Sequence, residues 1–350
     1  MVTALLTIVL LGILILVHEA GHFLVARRVG VLCHEFAIGF GPKIYSWEGG
    51  ETTFSLRAIP LGGYVLMAGE NASALEGEVP AESEVGRRLG DQSVGARAAI
   101  MAAGPLTNIV LAAVLFFTIY AAVGVPFPSL TVAEVQPEYP AAAAGIQEGD
   151  RIVGLNGEPV EEWADVVRRV RENPGNPMTF TLVRNGSELN VEVVPETRSE
   201  DGEVIGFAGI GAELDTIRLS PGTALVQALS WTFMVIVLLG RTLMEIVVGT
   251  TGSDQLMGVV GMGVEVGRAT QMGLASLLSL MGSISASIGF INLLPIPVLD
   301  GSRLVLLGVE AVSGKTLDPE KESLINLVGV ALLILLALYV TVQDILRITG

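Results

Sequence analysis

The chain has 350 residues, of which 51% are hydrophobic and 16% are charged, and its formal net charge at pH 7 is −16. The acidic excess argues against a nucleic-acid partner, because a phosphate backbone attracts basic surfaces. The single cysteine, Cys33, excludes an intrachain disulfide and a metal cluster held by several thiolates. The composition favours a multi-span α-helical membrane protein that carries one soluble insert.

Four stretches are long and apolar enough to cross a membrane, since a spanning helix needs about 20 largely apolar residues. A fifth stretch, residues 223–248, is ambiguous because it contains Arg241 and Glu245. Such a helix either crosses the membrane or lies in its interface. The four predicted spans are residues 2–25, 99–123, 274–298 and 324–345.

The first span contains two histidines and a glutamate, in the order His18-Glu19-x-x-His22. Histidines four residues apart lie on one face of a helix, so they can share one metal ion. The alternative is that they hydrogen-bond to neighbouring helices. A strongly polar side chain near the middle of a membrane costs about 2.5–3.5 kcal/mol, and such groups usually mark function. The spacing therefore predicts that His18 and His22 are metal ligands.

Basic residues between the first two spans set the predicted orientation. Arg27, Arg28 and Arg97 flank these spans directly, and loops rich in Lys and Arg near span ends are usually cytoplasmic. We therefore expect this loop in the cytoplasm, and the N-terminus and the soluble insert outside.

Residues 128–197 combine alternating strand patterns with one helical segment, which predicts a compact α+β domain. Within it, "AAAAGIQEGDRIVGLNG" (141–157) resembles the signature of PDZ domains, which bind extended peptides or chain ends by strand addition. The alternative is a rigid spacer or steric lid that binds no peptide. Residues 199–222 are predicted to be a linker back to the membrane. The remaining predicted segments are the membrane core, 1–123 and 273–350, and an interfacial helical segment, 223–272.

The third span ends in "NLLPIPVLDG" (292–301), where two prolines interrupt the helix and Asp300 lies at its far end. Zinc in a catalytic site takes three protein ligands and leaves one position for water. His18, His22 and Asp300 make such an open set, and Glu19 is then free to be the base that deprotonates the water. The alternative for Asp300 is a helix-end carboxylate at the cytoplasmic boundary.

The positions of His18 and Asp300 constrain the path of the chain. His18 lies about 24 Å along a helix that starts near residue 2, at about 1.5 Å per residue, and so toward its cytoplasmic end. Asp300 can meet it only if the third span also runs from outside to inside. Because the insert is outside, segment 223–248 must return to the outer side. We therefore expect an interfacial or re-entrant helix there, and the C-terminus outside.

Further motifs accompany the two already described. With the PDZ-like insert, the set along the chain is "HEAGHFLVAR" (18–27), "GFGP" (39–42), "IPLGGYV" (59–65), "AGPLTN" (103–108) and "NLLPIPVLDG" (292–301). Together they resemble the site-2 protease family, in its bacterial RseP-like branch, in the family's order along nearly the whole chain. The resemblance implies an intramembrane zinc metalloendopeptidase in the inner membrane of a bacterium. It also implies single-span membrane substrates, such as anti-sigma factors already trimmed by another protease, or remnant signal peptides.

The same resemblance assigns roles to individual residues. It implies substrate positioning by Asn292 and by a membrane-associated β-hairpin, over about 36–67, whose segment with Gly62-Gly63 holds the substrate extended. Two positions depart from the family pattern, Val259 for a frequent proline and Ser287 for an occasional asparagine. The implied zinc ligands are His18, His22 and Asp300, and the implied catalytic residue is Glu19.

Two other classes of function stay open at this point. A non-catalytic membrane scaffold would use the PDZ-like domain for binding and keep a structural metal site. A metal-ion transporter would explain histidines within a span, but neither Glu19 at the base position nor the peptide-binding insert. The scaffold predicts that Glu19→Gln leaves function intact, whereas the protease predicts that an uncut membrane substrate accumulates.

Overall fold

The computed structural model describes residues 2–69, 86–200, 202–250, 257–315 and 319–349. The chain forms two compact units. The helical unit comprises Met1–Val123 and Leu219–Gly350, and the inserted unit comprises Gly124–Arg218. The inserted unit is therefore longer at both ends than the predicted domain of residues 128–197.

The elements are numbered along the chain, and a 3₁₀ helix (Leu89–Asp91) and a π-helical turn (Ile119–Val123) supplement them. The helices are α1 (Val2–Val29), α2 (Val94–Thr118), α3 (Pro140–Ala143), α4 (Trp163–Arg171), α5 (Pro221–Val248), α6 (Val259–Met272), α7 (Leu274–Asn292), α8 (Asp300–Ser313) and α9 (Pro319–Thr349). The strands are β1 (Cys33–Gly49), β2 (Thr52–Met67), β3 (Val125–Val135), β4 (Arg151–Leu155), β5 (Glu158–Pro159), β6 (Met178–Arg184), β7 (Ser187–Val193), β8 (Glu196–Glu200), β9 (Glu203–Phe207) and β10 (Ile210–Ile217).

Five helices among the described residues are long and apolar enough to cross a membrane. The multi-span helical class predicted from the sequence is thus confirmed, but the number of candidates exceeds the four predicted spans. The added candidate is α5, a continuous helix of 28 residues where an interfacial segment is predicted. Residues 251–256 of that predicted segment lie outside the described residues.

Small residues let α2 pack closely against both α1 and α7. A methyl group on Gly21 of α1 would lie only 2.5 Å from the carbonyl oxygen of Ala103 in α2. A methyl group on Gly289 of α7 would lie 2.7 Å from the carbonyl oxygen of Pro105. Close backbone approach at small residues is the usual way in which apolar helices associate without a hydrophobic driving force between them. The centre of the helical unit is therefore the trio α1, α2 and α7.

The predicted third span, residues 274–298, is too long. Helix α7 ends at Asn292, residues 293–299 are irregular, and a separate helix, α8, begins at Asp300. Pro295 and Pro297 explain the break, because proline lacks an N–H donor and disfavours helical geometry in the residue before it. Asp300 thus lies in the first turn of α8 rather than at the end of a span.

Strands β1 and β2 pair antiparallel, but each contributes two segments to their sheet. One row across the sheet runs Trp47, Phe54, Phe36 and Val65, because Phe54 pairs with Trp47 and Phe36, and Phe36 also pairs with Val65. The rings of Trp47 and Phe54 stack at 5.2 Å, a stabilising cross-strand contact. Among the described residues, the segment around Val65 is an outer strand of this sheet. Its association with a membrane stays a prediction.

The inserted unit is an antiparallel sheet in the order β10-β3-β4-β6-β7, with β5 paired to β4 and a separate β8-β9 ribbon. Its core includes Trp163, Val166 and Val170 from one face of α4, together with Phe180 of β6.

The prediction of a linker over residues 199–222 is wrong. Strands β9 and β10 and the end of β8 occupy most of it, although residue 201 lies outside the described part of the chain. The glycines that suggested a linker make turns instead, since Gly202 and Gly209 have positive φ angles of 85° and 80°.

Candidate metal centre

His18 and His22 lie one turn apart in the second half of α1, and their rings converge. Their Nε2 atoms are 3.2 Å apart, and both residues are buried, with exposed fractions of 8% and 6%. Helical spacing alone dictates this pairing, because residues i and i+4 point to the same side of a helix.

Asp300 joins the two histidines although it follows His18 by 282 positions in the sequence. Its Oδ2 atom lies 3.2 Å from Nε2 of His18 and 3.4 Å from Nε2 of His22. Four-coordinate zinc with bonds of about 2.0–2.2 Å separates its ligand atoms by about 3.3–3.6 Å. The three side chains therefore fit three corners of a tetrahedron around one ion, and the fourth corner is left for water or substrate.

The tight loop before α8 positions Asp300 beside the two histidines. Val298 has a φ of 79°, which is a strained conformation for a β-branched residue. A methyl group on Gly301 would overlap the carbonyl oxygens of Leu293 and Leu294. Gly329 of α9 lies against the same loop, because a methyl group there would lie 2.5 Å from Cβ of Pro297. Packing thus holds the backbone on both sides of the carboxylate, as expected where strain is stored at a functional site.

Glu19 lies beside the histidines in α1 and faces the outer strand of the β1-β2 sheet. A methyl group on Gly63 would lie 3.3 Å from Cγ of Glu19. Gly62 has a φ of 110°, and a side chain there would overlap the ring of Phe40. Gly63 thus allows this strand to approach Glu19, whereas Gly62 leaves room for the Phe40 ring.

Asn292 is the last residue of α7. Its side-chain amide donates a hydrogen bond of 2.9 Å to the carbonyl of Ile288, one turn earlier in the same helix. This bond neither requires nor excludes a contact with substrate, so substrate positioning by Asn292 stays a prediction.

Helix α2 supplies three groups to the centre that the motif spacing did not single out as a site. The carbonyl of Ile100 lies 2.8 Å from Nδ1 of His22, and Gly104 lies against the His22 ring, which leaves no room for a methyl group. The amide of Asn108 lies 3.5 Å from Nδ1 of His18. From the sequence alone, Gly104 and Asn108 are best explained by helix packing. The sequence signal that could have identified them is their spacing of four residues, which places a glycine and a polar amide on one face of a span.

The buried carboxylate of Glu35 in β1 links both segments of β2 through hydrogen bonds. Glu35 accepts hydrogen bonds from Ser55, from Arg57 at 3.0 and 3.1 Å, and from Tyr64 at 3.2 Å. Burial alone would raise the pKa of Glu35, but the hydrogen bonds from Ser55 and Arg57 outweigh it and hold this pKa below its usual value. Burial, with the neighbouring Glu35 charge, raises the pKa of Tyr64 to about 12. The network therefore keeps the Glu35 carboxyl ionised within the sheet and pairs it with the Arg57 guanidinium.

Similar proteins are known for nearly the whole length of this chain. The description "Peptidase family M50" matches residues 6–336. "Zinc metalloprotease RasP" of Geobacillus kaustophilus is 34% identical, over 97% of this chain and 96% of that protein. "Regulator of sigma-W protease RasP" of Bacillus subtilis is 31% identical, over 97% of both chains. The PDZ domain of an SdrC-like protein from Listeria monocytogenes resembles 26% of this chain and 90% of its own, with 19% identity and a TM-score of 0.20.

The resemblance predicted from the motifs is thus confirmed over nearly the whole chain. Because the match extends from residue 6 to residue 336 and the relatives exceed 30% identity over 97% of the chain, this protein belongs to peptidase family M50, the site-2 protease family.

Proposed function

We propose that this protein is an intramembrane zinc metalloendopeptidase that cuts single-span membrane proteins. The observation that carries the proposal is the tetrahedral spacing of His18, His22 and Asp300 beside helices of membrane-spanning length. When bound, zinc supplies a Lewis acid that polarises water and the scissile carbonyl. Glu19 accepts the proton of the attacking water and returns it to the leaving amide nitrogen.

A strand next to Glu19 addresses the main obstacle to cleavage within a membrane. The backbone of a spanning helix is paired internally, and unpairing it in lipid costs several kcal/mol per group. The outer strand around Gly63 and Val65 offers replacement hydrogen bonds by strand addition. Because Gly63 packs against Glu19, a peptide added to this strand runs past the proposed base.

Helix directions support the predicted path of the chain. Leu10 of α1 and Met281 of α7 share an apolar cluster, and His18 and Asp300, further along each path, also meet. The chain therefore runs in the same direction through α1 and through α7 toward α8. With the N-terminus outside, both approach the cytoplasmic side, and the metal centre lies toward that side.

Contacts of α5 and α6 support the prediction that the chain returns to the outer side before α7. The N–H of Leu219, just before α5, bonds to the carbonyl of Tyr120 in the π-helical turn after α2, and Gly240 of α5 approaches the ring of Phe290 near the end of α7. Helix α6 runs back, because Gly263 lies by Thr7 of α1 and Gly267 lies by Thr3. This arrangement supports four crossings, α1, α2, α7 and α9, in a bacterial inner membrane, with the N-terminus, the inserted unit and the C-terminus outside.

The inserted unit contains a cavity suited to a peptide end. A space of about 380 Å³ is lined by the apolar face of α4 and by residues 205–210. The guanidinium of Arg198 borders it, 3.9 Å from the ring centre of Phe207 and 4.6 Å from that of Tyr139. An apolar residue that carries a free carboxylate complements this combination. We therefore favour substrates already cut by another protease, such as anti-sigma factors or remnant signal peptides, over an insert that serves only as a spacer.

The Glu19→Gln variant tests the proposed chemistry. Purified protein in liposomes with a single-span substrate should bind one zinc per chain in both forms, but only the wild type should cleave. Cleavage by Glu19→Gln at the wild-type rate would contradict the proposed base, and unchanged function in cells would favour the scaffold.

A binding measurement on the full chain tests the cavity. A peptide ending in an apolar residue with a free carboxylate should bind more tightly than its amidated form. The Arg198→Ala variant should remove this preference, whereas Arg151→Ala, at an exposed position of the same unit, should keep it. Equal binding of both peptides to the wild type would favour the spacer.

A further inference from the structure

Asn108 of α2 is completely buried, and its side chain faces the back of the metal centre. Its Nδ2 atom lies 3.5 Å from Nδ1 of His18, the ring nitrogen turned away from His22 and Asp300. Its Oδ1 atom is also buried and has no hydrogen-bond partner within the described part of the chain. A buried amide oxygen without a hydrogen-bond partner is destabilising, so this arrangement is incomplete as it stands.

The chemistry of a metal-bound histidine supplies the missing partner. When Nε2 of His18 binds an ion, Nδ1 carries the proton and needs an acceptor. The Asn108 amide nitrogen cannot accept a hydrogen bond, but its oxygen can. Rotation of the amide by 180° exchanges the two atoms without changing the shape of the side chain. The rotation gives the unpaired oxygen a donor and gives Nδ1 an acceptor.

We propose that Asn108 is a positioning residue whose Oδ1 accepts the Nδ1–H of His18 when zinc is bound. The inference rests on the proposed zinc site. His22 has the matching arrangement, since its Nδ1 meets the Ile100 carbonyl at 2.8 Å. Ser285 of α7 donates to the backbone carbonyl of Asn108 at 2.8 Å, which fixes this turn of α2 between its neighbours. Helix α2 thus contacts both histidine rings at Nδ1, the nitrogen on the side away from the proposed zinc position.

Zinc affinity, measured by competition with a fluorescent chelator, is a readout that does not depend on activity. Loss of such an outer partner typically lowers metal affinity about 10- to 100-fold. We expect this loss for Asn108→Leu, which keeps the volume but removes the acceptor, and recovery to within about threefold of wild type for Asn108→Asp. Equal loss in both variants would indicate a packing role and overturn the proposal.

A spectroscopic measurement on the wild type does not depend on how the variants fold. The chain has three histidines, so ¹⁵N-histidine labelling gives few signals. In the zinc-loaded protein, His18 should show a metal-bound Nε2 and a protonated, hydrogen-bonded Nδ1. A deprotonated Nδ1 would overturn the proposal for Asn108. Absence of stoichiometric zinc from the wild type would instead overturn the proposed function, so the two failures are distinguishable.

Discussion

Gly104 of α2 is the residue whose replacement should most directly disturb the metal centre. In Gly104→Ala, the added methyl carbon would lie 2.7 Å from two carbons of the His22 ring and closer still to its Nε2 atom. Ordinary contact begins at 3.4 Å, so the ring must retreat by at least about 0.7 Å, the difference between these two distances. Zinc sites tolerate deviations of about 0.2 Å in ligand distance. The required displacement is several times larger.

The expected result is a loss of zinc affinity of at least about 100-fold, because one of three ligands leaves its position. Helix propensity acts in the opposite direction, since Gly→Ala within a helix is favourable by about 0.5–1 kcal/mol. The matched control is Gly12→Ala in α1, where no atom of the described residues lies within 4 Å of the added methyl carbon. The Gly12→Ala variant gains the same helix propensity, and its added methyl group contacts no zinc ligand.

The assay is metal analysis of detergent-purified protein, followed by chelator competition and by cleavage of a single-span substrate. Gly12→Ala should keep one zinc per chain and wild-type cleavage. Gly104→Ala should lose both while remaining folded by circular dichroism. If Gly104→Ala binds zinc with wild-type affinity, the His22 ring is not held against α2 as described, and the reasoning about the centre is refuted.

Three further predictions concern separate parts of the molecule. Gly301→Ala should displace the loop before α8 and lower zinc affinity, whereas Gly308→Ala, an open position of the same helix within the described chain, should not; equal affinities would contradict this. Glu35→Gln should leave the buried, positively charged Arg57 without its anionic partner, and the loss of about 3 kcal/mol of stability should appear as faster proteolysis within the β1-β2 sheet. The Arg184 guanidinium lowers the pKa of Asp150, so this stabilisation is present above the unfolded-state pKa and is lost as pH falls through the lower folded-state value. Asp150→Asn should thus cost about 2 kcal/mol at neutral pH but little in strong acid, as measured by hydrogen exchange of the inserted unit.

Local patterns in the sequence predict much of the fold and the two histidine ligands of the metal centre. The pairing of His18 with His22 follows from helical periodicity, which depends on neighbouring residues only. The apolar spans follow from the length of hydrocarbon that a helix must cross. Asp300 was found by ligand count and by resemblance to a family.

Other predictions from local patterns were wrong or incomplete. Hydropathy predicts a third span that is too long, because an apolar stretch continues past the two prolines that end α7. The linker over residues 199–222 was wrong, because glycines that permit flexible chain also permit tight turns between strands. The long helix α5 satisfies the length and hydropathy of a span, and those two properties alone do not separate a crossing from a re-entrant helix.

The sequence by itself determined which residues can bind a metal, because that property belongs to side-chain type and helical spacing. Only the tertiary structure decided what surrounds them. Ile100, Gly104 and Asn108 reach the two histidines because α1 and α2 approach closely at small residues, and Gly63 reaches Glu19 because β2 folds back along α1. Such contacts depend on the packing of segments far apart in the chain, and periodicity within one segment carries no information about them.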